Sequence, residues 1–109
     1  MKILLTIGIV FLTLSVCAQS PGEQVAAKIA KKMKDSLALT EEQRVAIYDI
    51  NMQMHNKKMP LFIKYKGTDS LRILLQRIEN SRDTLYSAVL PPEKYLLYKQ
   101  KKTVLVYDK

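Results

Sequence analysis

The chain has 109 residues, with 18 Lys and Arg against 10 Asp and Glu, giving a formal charge of +8 at neutral pH. That length supports one small domain, whose modest core would gain from a partner subunit. One Cys and one His exclude a disulfide framework and leave little for acid–base or nucleophilic chemistry.

The first segment reads as a secretion signal covering residues 1–18. Met1-Lys2 forms a short positive start, residues 3–16 are almost wholly apolar, and Val16-Cys17-Ala18 fits a small-x-Ala cleavage site. The apolar run falls short of the roughly 20 residues that a membrane span needs. A second reading takes Leu14-Ser15-Val16-Cys17 as a loose lipobox with Cys17 lipidated, although Val16 replaces the small residue usual there. Residues 19–109 are then a single exported domain, without a cysteine if cleavage follows Ala18. Lys2 is the only charge lost with the leader. In an exported protein this positive excess suits anionic surfaces or acidic, partly unfolded polypeptides rather than nucleic acid.

Apolar residues of the exported part recur at three and four, which predicts an all-α fold. The first helix is expected over about residues 23–38 after a Pro21-Gly22 lead-in. Val25, Ile29, Met33 and Leu37 would form its inner face, with Lys28, Lys31, Lys32 and Lys34 outside. The second starts at Thr40, with Val45, Tyr48, Met52, His55 and Met59 at seam spacing and Ile47, Ile50, Met54 and Leu61 as a flanking stripe. Pro60 either stops this helix near Lys58 or kinks it on its way to about Tyr65. Lys66-Gly67-Thr68-Asp69-Ser70 reads as a turn and cap.

The third helix is expected over about residues 70–88, packing Leu71, Leu74, Ile78, Ser81, Leu85 and Ala88. Arg72, Arg77, Glu79, Arg82 and Asp83 would be mostly exposed. A fourth opens at Pro92 and runs to about residue 103. The tail from Thr103 to Tyr107 has strand-like composition.

Leu39-Thr40-Glu41-Glu42-Gln43 is a capping box: the Thr40 hydroxyl accepts from the Gln43 N–H, and the Gln43 side chain accepts from the Thr40 N–H. Glu41 and Glu42 suit the positive end of the helix dipole. This pattern resembles the LTxxQ motif of the Spy/CpxP family of periplasmic proteins. Leu90-Pro91-Pro92-Glu93 is similar to that family's second motif at Leu90, Pro92 and Glu93, but Pro91 replaces Thr and Lys94 replaces Gln. The resemblance implies a four-helix protein built on a long antiparallel hairpin, pairing into a curved homodimer in the periplasm. It further implies an ATP-independent holdase that captures unfolded clients on a concave, basic and partly apolar face. Arg44, Lys57, Lys58, Lys64, Arg72 and Arg77 are the candidate cations of that face, with Met52, Met54 and Leu61 as its apolar contacts.

Two other readings stand beside it. Met52, His55 and Met59 share a helical face and carry ligands suited to Cu(I), so a metal-binding or metal-sensing envelope protein is the alternative, although packing already accounts for the three. A regulatory partner of a membrane sensor is the third. Tyr95, Tyr98, Lys99 and Lys102 lie near one side of a helix and could touch an anionic membrane surface, but tyrosine packing with lysines reaching into water is the simpler account. No cofactor and no enzyme activity are expected. Glu41 and Glu42 serve the helix dipole, and Glu79 and Asp83 read as surface charge.

Overall fold

The computed structural model describes residues 20–107. The expected leader, its cleavage after Ala18 and the alternative lipidation of Cys17 lie outside the described residues. Four α-helices follow one another, α1 (Pro21–Leu37), α2 (Glu41–Lys64), α3 (Asp69–Ser87) and α4 (Pro92–Lys102), and a π-helical turn (Thr103–Tyr107) extends α4. There is no strand among the described residues, so the expected all-α class holds. The strand-like tail instead closes as a π turn, because Leu105 finds a fully buried seat (1% exposed) in the core.

Helix starts follow the sequence chemistry. Ser20 caps α1 by accepting from the Glu23 N–H at 3.2 Å, which places Pro21 and Gly22 inside the first turn rather than before it. Thr40 and Gln43 form the full capping box at 3.1 and 2.9 Å. Thr68 caps α3. Pro91 offers no side-chain cap to α4, because its ring carries no acceptor. Pro60 sits within α2, which continues to Lys64. Asn56, whose carbonyl loses its partner to the proline, is exposed, so water can take that bond.

The core joins all four helices and the turn through Ile29, Met33, Leu37, Ile47, Tyr86 and Tyr98, among others. Two expected faces are rotated. On α1 the inner arc is Ala26, Ile29, Ala30, Met33 and Leu37, while Val25 is 58% exposed. At about 100° per residue, Val25 lies roughly a right angle from the centre of that arc. On α2 the buried residues are Ile47, Ile50, Asn51 and Met54, so the expected flanking stripe is the inner one. The expected seam faces outward, with Val45 and Met59 exposed and Tyr48, Met52 and His55 half-buried. On α3 the fully buried residues are Arg82 and Tyr86. Leu71, Leu74, Ile78, Ser81 and Leu85 are only half-buried, and Ala88 is exposed.

α1 ends on Ala38 in the left-handed conformation (φ 53°). The Leu39 N–H closes onto the Lys34 carbonyl at 3.1 Å, the long bond of a Schellman cap. A side chain in that region costs about 1 kcal/mol relative to glycine. Ala38→Gly should therefore raise unfolding stability by about 0.5–1 kcal/mol in a denaturant titration, and an unchanged or lower midpoint would contradict this reading of the cap.

Candidate functional site: a buried charged network and an uncovered apolar stripe

Arg82 is 6% exposed and holds the middle of a polar network that crosses three helices. Its Nε donates to Glu79 Oε1 at 2.6 Å and its Nη1 to Asn51 Oδ1 at 3.1 Å and the Tyr86 hydroxyl at 2.7 Å. The Tyr86 hydroxyl donates in turn to Asn51 Oδ1. Asn51 Nδ2 donates to the Ala26 carbonyl of α1 at 3.1 Å. Glu79 also accepts from Lys58 Nζ at 2.6 Å and from the Tyr107 hydroxyl at 2.7 Å. Among the described residues no buried side-chain nitrogen or oxygen lacks a partner, which is the condition for a buried charge to be tolerable.

A second network begins at the next residue of α3. Asp83 accepts from the Tyr98 hydroxyl at 2.8 Å and pairs with Lys99 at 2.7 Å and Lys102 at 2.9 Å. The Tyr98 ring meets Tyr86 edge to face at 5.0 Å. Glu79, Arg82 and Asp83 are thus internal ties rather than the surface charges the sequence suggested. Tyr98 is fully buried, so the tyrosine–lysine side of α4 faces α3.

The electrostatics follow from these partners. Burial alone would raise the Glu79 carboxyl, but hydrogen bonds from Arg82, Lys58 and Tyr107 outweigh it and hold the group at about 2 against an ordinary 4.5. Asp83 behaves alike: burial raises it, and Lys99, Lys102 and Tyr98 bring it down to about 2 from 3.8. Burial pushes the Tyr86 hydroxyl up to about 12, despite Arg82 beside it.

The other feature is what α2 leaves uncovered. Val45, Tyr48, Met52, His55, Met59 and Phe62 advance by three and four, which is heptad spacing. None of them is fully buried, and Met59 and Phe62 are each 45% exposed. Ile63 beside them is 82% exposed, and Ile73 of α3 is 55% exposed.

The sequence-expected contact residues divide into three groups. Lys57, Arg72 and Arg77 are exposed and make no ion pair among the described residues, and Lys64 is exposed over the Tyr65 ring at 5.4 Å. Arg44 and Lys58 are already paired, with Glu41 and Glu79. Met52 and Leu61 are half-buried, whereas Met54 is only 2% exposed. Met54 is therefore a core residue and unavailable as an apolar contact, because it lies on the inner arc with Ile47 and Ile50.

The motif leucines Leu39 and Leu90 are both buried at 6%. Thr40 and Gln43 carry the cap, and Pro92 and Glu93 sit exposed in the first turn of α4. Of the possible metal ligands, Met59 is exposed and Met52 half-buried. The edge of the His55 ring presses on Gly22 so closely that a Cβ there would lie 2.2 Å from Nε2. Among the described residues no group of three or more His, Cys, Asp or Glu could hold a metal. No described helix is long and apolar enough to cross a membrane.

No family model, curated protein or solved structure matches the chain.

Folded-state carboxyl pKa values below the unfolded ones add stability that is complete above the unfolded values and fades as pH falls through the folded ones. Stability should therefore stay flat from neutral pH down to about 5, then drop between pH 4.5 and about 2, where Glu79 and Asp83 take up protons. Glu79→Gln should flatten part of that drop. It should also cost about 2–4 kcal/mol at pH 7 by leaving Arg82 without its counter-charge. Chemical denaturation across pH checks both, and an unaltered acid limb in the variant would contradict the assignment.

Proposed function

We propose that the chain is an exported, ATP-independent holdase of the Spy/CpxP kind, acting as a homodimer of α2–α3 hairpins. The observation that carries this reading is the uncovered stripe on α2. In a heptad-spaced row from Val45 to Phe62 the described residues leave every side chain at least partly exposed, and Val45, Met59 and Phe62 most of all; cations without an ion pair among the described residues, Lys57, Arg72 and Arg77, stand on the same two helices. In a domain with so small a core, such a row calls for another chain.

The two ends of the stripe differ, and that difference divides the labour. Tyr48, Met52 and His55 are partly covered and form a shallow seam suited to a second copy. Met59, Phe62 and Ile63 project further, beside Lys57, Lys64 and Lys66. Cations draw an unfolded acidic segment from a distance, and flexible methionine and aromatic side chains then fit whatever apolar residues arrive. Weak, adaptable contacts of this type suit a holdase, which must release what it holds.

The capping box at Thr40 and the buried Leu39 and Leu90 support the family resemblance, since both motif leucines turn inward where the chain changes helix. The Gly22–His55 contact favours packing over metal ligation at Met52, His55 and Met59.

An aggregation assay on a chemically unfolded, acidic client tests this. The protein should suppress light scattering without ATP, less so at high salt. A Met59→Ser, Phe62→Ser, Ile63→Ser triple variant should lose most of the effect while keeping its helical circular dichroism. No suppression at several-fold molar excess would overturn the proposal.

A further inference from the structure

A cavity of about 320 Å³ lies between α1 and α2 and meets the outward stripe at His55. Val25, Ile29 and Met54 form its apolar wall, and Asn51, Lys58 and Arg82 give it a polar end. Among the described residues no Asp or Glu lines it: Glu79 faces a separate groove with Leu71, Arg72 and Tyr107 on the other side of the network. Every charged side chain lining the cavity is therefore cationic.

The polar end has spare donors. The guanidinium of Arg82 spends Nε, both protons of Nη1 and one of Nη2 on Glu79, Asn51 and Tyr86, so one N–H is uncommitted. Asn51 commits one amide proton to the Ala26 carbonyl and keeps the other. Lys58 makes a single hydrogen bond, to Glu79, out of the three an ammonium can donate. Lys58 and Arg82 together face one carboxylate, so the trio carries one positive charge in excess in a largely dry setting. Such a charge is expensive to leave unmatched.

We propose that this cavity binds a medium-chain monocarboxylate, its head on Arg82, Lys58 and Asn51 and its chain against Val25, Ile29 and Met54. A carboxylate supplies the missing charge and accepts the spare N–H groups. The volume lies at the small end of ligand pockets and suits one short acyl chain rather than a peptide. The site shares Lys58 and Met54 with the residues the sequence offered for client capture, but none of Met59, Phe62 and Ile63 on which the holdase test rests, so the two readings fail separately.

The test is a titration of isotope-labelled protein with octanoate, followed by NMR. The Arg82 Nε–H signal and the amides of Ile29 and Met54 should shift saturably. Octanol, with the same chain and no charge, should bind about tenfold more weakly. Val25→Asp places a carboxylate on the exposed rim, where folding is spared; it should weaken octanoate about tenfold while the spectrum stays dispersed. Equal binding of octanoate and octanol would overturn the proposal. So would shifts concentrated at Phe62 and Ile63, or no saturable shift at all.

Discussion

The buried guanidinium of Arg82 is the constraint on which the rest of the structure depends. It sits on α3, takes Asn51 of α2 and Glu79 and Tyr86 of its own helix, and through Asn51 reaches the backbone of α1. Glu79 extends the reach to Lys58 and to Tyr107 in the π turn. A hydrophobic residue of similar volume could fill the same space with comparable stability. What an apolar side chain could not do is insist on direction. The guanidinium is satisfied only when Asn51, and not Met52 or His55, faces inward, so the network fixes the rotation of α2 about its own axis.

That rotation explains how two apolar stripes on one helix receive different fates. Ile47, Ile50 and Met54 flank Asn51 and go to the core, while the Val45–Phe62 row is carried outward. The same arrangement puts two cations against one carboxylate beside the α1–α2 cavity. The outward stripe and the cationic cavity both follow from where Arg82 places Asn51. Function, on this account, is a consequence of register.

Much of the fold was legible in the sequence because its signals are local. Thr at two helix starts, Gly67 in its turn, the Leu-Thr-Glu-Glu-Gln box and the three-and-four periodicity report on a few neighbouring residues and hold regardless of what packs where. Side-chain fate is not local. Val25 scores as apolar yet lies at the margin of an arc whose centre is marked by two alanines, which carry little hydrophobic weight. Arg82 and Glu79 read as solvated charge until Asn51 and Tyr107, distant in sequence, are brought to them. The Glu79–Arg82–Tyr86 spacing of three and four was visible, and it puts the three on one face. Nothing local, however, says that this face turns inward. On α2 the choice between two apolar stripes was undetermined by pattern alone, since both have helical spacing, and the long-range polar contact decided it.

A double-mutant cycle between Asn51 and Arg82 tests most directly whether their contact sets the packing. Unfolding free energies of Asn51→Ala, Arg82→Met and the double variant should reveal a coupling of about 1–3 kcal/mol, with the double variant less damaged than the sum of its parts. Effects that add to within about 0.5 kcal/mol would show the two side chains to be independent, and the register of α2 would then need another cause.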